Sequence, residues 1–475
     1  MKIKEYIRGA NPYMPLWEHV PDGEPRVFTH NGETRVYVYG SHDTAREEYC
    51  GNDYVVWSAP ADDMTDWRCD GVCFKADNIL YAPDVVKKGD TYYMYIAMNK
   101  GENIYVAESK SPTGPFENPR KTDFGFDIGV LVDDDERCYA YWGFTKCYCA
   151  EINDDMATIK NGTFKANMIP HCDFRTNHWD AENIDTEFCY FEAASIRKIL
   201  GKYVFIYSKR IKSGDADKAL APNTNCYLDY AYSDSPLGGW VHGGTISNNS
   251  GAVIVRSDGT KKRAYQTCNN HGSIAEINGR YYIFYHRGTG TNGYARQAML
   301  EPIDIRLQND KLYIGRMEYD KDGNVLNCSE AEMTSQGAHT DGLDSRRIIS
   351  AGYTCYIDSP DSSDRAYIKP VYDSNNPSAP VVNINGGTII GFKYLNFGDI
   401  PPKELYLRIK PLSGKVGVQV FIDSPGCDSL CSFTHEAAAY DYQIASARLS
   451  KKVTGKHAVY FKFSGSCEFD CFTFE

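Results

Sequence analysis

Apolar and polar positions over the first two thirds of the chain repeat one pattern. A turn built from Gly, Asn or Asp leads into a run dense in Tyr and β-branched residues. It occurs as NGETRVYVYGS at 31–41, KGDTYYMYIA at 88–97, DDERCYAYWG at 134–143, LGKYVFIYS at 200–208 and INGRYYIFYH at 277–286. These runs alternate or are aromatic throughout, as strands are. A shorter strand-like run follows each: YVVWSA from Tyr54, IYVAES from Ile104, CYCAEI from Cys147, LDYAYSDS from Leu228 and ARQAML from Ala295. Another precedes each: EPRVF from Glu24, APDVV from Ala82, DIGVLV from Asp127, EAASIRK from Glu192 and HGSIAEI from His271. Strand, turn, strand, then a third strand is how a propeller blade begins. Five unevenly spaced units predict a five-bladed β-propeller over residues 1–325, with loops of varied length.

After LYIGRMEYDKDGN (312–324) the repeat stops. Residues 326–345 are polar, show little strand pattern and read as a connector. From 346 to 475 short strands return, among them GFKYLNFG, LYLRIK, GVQVFID and HAVYFKFSG. Their spacing predicts a β-sandwich of jelly-roll type, so the whole chain is expected to be all-β.

The 475 residues suit two domains. A net charge of -12 argues against a nucleic-acid partner or an anionic membrane surface. No segment is apolar for long enough to span a bilayer, and MKIKEYIRGANPYMP lacks a signal peptide's apolar centre. With Met1 as the native start, a cytoplasmic location is expected, and the 16 cysteines are then reduced. The pairs Cys427/Cys431 and Cys467/Cys471 are read as core packing rather than a zinc site. The 36 Tyr suit strands and also sugar contacts.

In a propeller the innermost strands line the axis. Their openings carry Glu24, Asp84, Asp127, Glu192 and His271. Four carboxylates and a histidine would then converge at one end of the channel. Gathered carboxylates raise one another's pKa, the state a general acid needs. Glycoside cleavage uses such a set: one carboxyl protonates the leaving oxygen and another activates water or attacks the sugar.

At these residues the chain resembles glycoside hydrolase family 43. The resemblance is carried by NPYMP (11–15), DGEPRVF (22–28), YAPDVV (81–86), FDIGVLVDDD (126–135), FEAASIRK (191–198), NNHGSIAEINGRYYIFYHR (269–287) and ARQAMLEPI (295–303). It covers about residues 10–320 in the family's order. It implies an inverting propeller hydrolase with a base, a pKa modulator and an acid. Glu192 matches the acid, Asp127 the modulator and Asp84 an acidic pocket position. His271 matches an axial histidine that reaches a calcium ion, largely through water, and Arg296 matches a substrate contact. No organic cofactor is implied. The family's base is an Asp just before Pro, where this chain has Glu24; Asp22, two residues earlier, is the alternative. The C-terminal sandwich is similar to carbohydrate-binding module family 6, but all six Trp lie at or before residue 240. It is expected to pack on the propeller.

The activity implied is exo-acting removal of terminal sugars from plant-derived oligosaccharides. An α-L-arabinofuranosidase is expected first, a β-xylosidase second, with a β-galactosidase open. A glycoside phosphorylase would need phosphate cations such as Arg296 and Arg287. A non-catalytic sugar-binding propeller would follow from loss of the base at Glu24. His42 and Asp43 are weaker pocket candidates, and Trp57, Trp142 and Trp240 are weaker stacking candidates.

Overall fold

The computed structural model describes residues 6–44, 49–171, 187–210, 225–361, 363–370, 378–436 and 439–475. Five antiparallel sheets form the blades. Blade I contains Glu24–His30, Glu33–Tyr39, Gly51–Pro60 and the first half of Arg68–Lys88. That long strand then crosses over and becomes the innermost strand of blade II, followed by Thr91–Met98, Asn103–Ser109 and Glu117–Lys121. Blade III is Gly129–Val132, Cys138–Trp142, Tyr148–Ile152 and Lys165–Ala166. Blade IV is Tyr190–Ile199, Lys202–Lys209, Tyr227–Ser233 and Val241–Asn248. Blade V is Ser273–Ile277, Arg280–Gly288 and the first part of Arg296–Gln308.

The tight turns explain the repeat. Asn31-Gly32, Leu200-Gly201 and Asn278-Gly279 each place two residues in the left-handed region, φ 51 and 83, 50 and 81, and 49 and 74. Two consecutive positive φ values give the hairpin twist that matches the flanking strands. The apolar residues on each sheet then meet those of the next blade. Val36, Val38 and Trp57 pack with Phe284 and Leu300 between blades I and V, while Ile104 and Val106 pack with Val130 and Ala140 between II and III.

The inner strands contact one another in the circular order I to V and back to I. The ring is closed by the chain's early residues along the outer strand of blade V. Tyr13 N donates to Ala298 O at 3.3 Å. The Asn11 side chain brackets Leu300, donating to its O at 2.7 Å and accepting from its N at 3.0 Å. Inner strands approach closely at Gly129, where a Cβ would lie 2.6 Å from Ala194 O and 2.9 Å from Ser195 Cα. Both are backbone atoms, so Gly129→Ala is expected to cost about 1–3 kcal/mol, as overpacking does, read as a lowered denaturation midpoint.

The stretch read as a connector carries two strands: Val325–Ser329, which pairs with Lys311–Tyr319, and Leu343–Asp344, which pairs with Ile389–Asn396. Residues 333–337 between them are buried. Two facing sheets come next. One orders Leu343–Asp344, Ile389–Asn396, Lys456–Ser464, Val416–Ile422 and Cys431–His435; the other orders Tyr367–Ile368, Val381–Ile384, Cys467–Phe474, Glu404–Pro411 and Gln443–Arg448. Phenylalanines fill the space between, with Phe392 and Phe472 at 4.8 Å between ring centroids. Cys431, Cys467 and Cys471 are buried there and Cys427 is exposed. Cys189 is disulfide-bonded, which departs from the expectation that every thiol is reduced.

This sandwich packs on blade V. Arg287, fully buried, donates to Gly352 O at 2.6 Å and to Thr354 O. Ile368 N donates to Thr289 O at 2.9 Å, and Thr291 Oγ1 to Ile368 O at 2.7 Å.

Candidate active site

A cavity of about 420 Å³ opens at one end of the propeller channel. Asp22, Asp127, Glu192, His271 and Asn269 line its floor and sides. Tyr49, Tyr81, Phe126 and Phe144 supply aromatic walls, and Lys100 to Glu102 form part of the lining from blade II. An apolar wall with a few convergent polar groups is the composition of a small-ligand site.

Asp22 stands in a turn two residues before the first strand, with φ 58. Its N–H donates to His286 Nδ1 at 3.1 Å. Its carboxylate accepts from Ser41 Oγ at 2.6 Å and from Arg296 Nη1 at 3.1 Å. Arg296 is itself fixed: its Nε and Nη2 reach the two oxygens of Asp43, both at 2.9 Å, and its guanidinium lies 4.2 Å from the Tyr49 ring centroid. Burial alone would raise the Asp22 carboxyl. Arg296 first, then His286, His271 and the Ser41 hydroxyl, outweigh that and hold it at about 2. Asp22 is therefore an anion throughout the neutral range.

Glu192 is presented by an irregularity in its strand. The register with Lys202–Lys209 shifts on both sides of Glu192, and Ala193 adopts φ 65. Such a bulge re-aims a side chain next to a site. The Ala193 N–H donates to Asp127 Oδ2 at 3.0 Å, so Asp127 is fastened to the residue beside Glu192. Asn225 Nδ2 donates to Glu192 Oε1. Burial, then the negative charge of Asp22, push the Glu192 carboxyl up to about 8 against the pull of Arg296 and Arg210. Burial also raises Asp127, to about 7, with Glu192 and Asp22 adding to it and His271 opposing. One cavity thus holds a carboxylate driven down and a carboxyl driven up, which marks the base and the acid of a pair.

Four sequence assignments are corrected. Glu24 does not line the cavity. It points into the channel, where Arg197 Nη2 lies 2.6 Å from its Oε2. Its neighbour in the motif, Asp22, takes the cavity position. Asp84 is also absent from the cavity and fully buried; it accepts from Arg26 Nη2 at 2.6 Å and from Val130 N at 2.7 Å. Arg296 sits behind Asp22 and is 1% exposed, so it orients the carboxylate rather than lining the pocket. His271 does line the cavity, with Nδ1 at 3.9 Å from Asp127 Oδ2. No three His, Cys, Asp or Glu side chains gather to hold a metal among the described residues. The axis beyond holds the guanidiniums of Arg26 and Arg197. These residues do not fit a calcium ion, and no step is routed through one.

The weaker candidates also resolve. Asp43 anchors Arg296. His42 lies between Asp53 at 2.7 Å and Glu18 at 3.1 Å, which outweigh its burial and raise it to about 10. Trp57, Trp142 and Trp240 pack in the blades and none lines the cavity. The aromatic walls come instead from Tyr49, Tyr81, Phe126 and Phe144, none of which the repeat singles out.

The model of glycosyl hydrolases family 43 matches residues 22–311. A xylosidase/arabinosidase of Thermoclostridium stercorarium is 31% identical over 84% of this chain and 85% of its own length. Xylosidase/arabinosidase 43A of Humicola insolens is 27% identical over 66% of this chain and 98% of its own. A solved family 43 arabinoxylan arabinofuranohydrolase from Bacillus subtilis aligns over 99% of this chain and 98% of its own, at 19% identity and a TM-score of 0.49. With its propeller, its opposed carboxyl groups and the family match over most of the propeller, the chain belongs to glycosyl hydrolases family 43.

Proposed function

We propose that the protein is an inverting exo-glycosidase that removes terminal α-L-arabinofuranosyl groups first and β-xylosyl groups second from plant-derived oligosaccharides. The observation that carries the chemistry is the opposite tuning of Asp22 and Glu192 across one cavity. The names of the two curated relatives support the choice of sugars. Asp22, held ionised by Arg296, takes a proton from water as that water attacks the anomeric carbon. Glu192, kept protonated by burial and by Asp22, gives its proton to the departing oxygen. Asp127, tied to Ala193, fixes the strand that carries Glu192. His271 faces Asp127 from the start of blade V. The binding-only reading rested on a lost base, and Asp22 supplies that base. The phosphorylase reading needed two free cations, and Arg287 and Arg296 are both occupied inside the protein.

The test is a panel of aryl arabinofuranoside, xyloside and galactosides, followed by an arabino-xylo-oligosaccharide, with the product anomer read by NMR. Release of a single sugar with inverted configuration is expected. Turnover of the galactosides alone overturns the sugar assignment, and a retained anomer overturns the roles of Asp22 and Glu192. The pH dependence follows from the same groups. The acid must be protonated and the base ionised, so kcat is expected to fall as pH rises through about 8, where Glu192 loses its proton. The acid limb, set by Asp22 at about 2, lies below the working range. A rate profile that declines from pH 5 downward would show that Asp22 is not the group so tuned.

A further inference from the structure

The far end of the channel is closed by four charged side chains that the catalytic chemistry does not use. Arg26, on the inner strand of blade I, donates to both oxygens of Asp84 in blade II, at 2.7 and 2.6 Å, and to Val130 O of blade III at 2.9 Å. Arg197, on the inner strand of blade IV, donates to Glu24 Oε2 at 2.6 Å and Pro25 O at 2.8 Å in blade I. Its Nε reaches Ile274 O of blade V at 2.9 Å. Two guanidiniums therefore join all five inner strands. Glu24 and Asp84 are 1% and 0% exposed, and the two positive charges balance the two negative ones. A fork of fixed donors suits this cross-linking, because each guanidinium satisfies several oxygens at once.

We propose that the Glu24–Arg26–Asp84–Arg197 network takes the place of a metal ion on the propeller axis, and that a calcium ion binds there only when a guanidinium is removed. The oxygens that a hard cation would need are the ones the arginines now occupy: the Asp84 carboxylate, Glu24 Oε2, and the carbonyls of Pro25, Val130 and Ile274. Calcium takes six to eight such ligands from carboxylates, carbonyls and water. Stripped of a guanidinium, the site becomes a buried, oxygen-rich cage with an uncompensated carboxylate, which is costly unless a cation enters. A second cavity of about 260 Å³, lined by Pro25, Arg26, Arg197 and Ile274 among others, opens to the network from its outer side and gives that cation a path.

The experiment uses the full chain and reads thermal unfolding with excess EDTA and with millimolar CaCl2. The wild type is expected to melt at the same temperature in both. Arg197→Met is expected to melt on the order of 10 °C lower in EDTA, as loss of one partner of a buried ion pair implies, and to regain several degrees in calcium. Isothermal titration with CaCl2 is expected to give heat of binding with Arg197→Met and none with the wild type. A wild type that is destabilised by EDTA and restored by calcium overturns the proposal, as does an Arg197→Met protein indifferent to calcium. Should Arg197→Met fail to fold in EDTA, its recovery from calcium-supplemented refolding decides the matter the same way: recovery supports the proposal and no recovery overturns it. The readout is unfolding and binding, so it stands apart from the catalytic assignment.

Discussion

Asp22→Asn is expected to lower kcat about 10²–10⁴-fold on every substrate the enzyme turns over, the range a general base contributes. The substitution keeps the shape of the side chain and its contact with Ser41, and removes the charge that Arg296 holds. Because water attack needs the base whatever the leaving group, aryl glycosides and oligosaccharides should lose rate alike. Glu24→Gln is the control. Glu24 is paired with Arg197 in the channel, so its variant should lose stability and keep most of its turnover at temperatures where it stays folded. Initial rates at saturating substrate, with melting curves of both variants, check this. The reverse outcome, an active Asp22→Asn and a dead but folded Glu24→Gln, would return the base to Glu24.

Glu192→Ala should show the complementary behaviour. The general acid matters in proportion to how badly the leaving group needs a proton. On an oligosaccharide, whose leaving alcohol is poor, a loss of about 10²–10⁴-fold in kcat is expected. On an aryl glycoside with an acidic phenol the loss should be far smaller. The fall in rate above about pH 8 should also vanish, because Glu192 is the group whose proton it reports. Paired rates on the two substrate types across pH 5–9 separate this from a folding defect, which would reduce both equally. Equal losses on both substrates would assign Glu192 a role other than proton donor.

Much of the propeller was legible because its signals are local. Asn31-Gly32 and Asn278-Gly279 announce hairpins through backbone conformation alone. The alternation of Val36 and Val38 with their neighbours reports a blade face. Leu200, at φ 50, shows that the same turn forms without the favoured Asn. In the site, Asp127, Glu192 and His271 were named from their place in the repeat, and all three line the cavity. Glu24 was misplaced by an offset that the repeat itself contains. Asp127 and His271 each stand two residues before the first residue of an inner strand, Gly129 and Ser273, and Asp22 stands two before Glu24. Asp22 and Asp127 share a positive φ there, 58 and 49, which turns the side chain out of the strand's alternation. Alternation cannot reveal that turn. Nor could it reveal the pairing of Arg26 with Asp84, 58 positions apart, since long-range charge pairs leave no periodicity.

Closure of the ring by Asn11 and Tyr13 against Ala298 and Leu300 also orders events on the ribosome. The segment around Asn11 must wait beside the exit tunnel for a partner strand nearly three hundred codons downstream. Until it arrives, Asp22 has been translated but lacks Arg296, and so exists as an ordinary carboxylate. Contacts of such long sequence separation are slow to form, and the waiting edge is a candidate for chaperone capture. Nascent chains stalled before residue 296 therefore carry every acid of the active site without the guanidinium that holds Asp22 down.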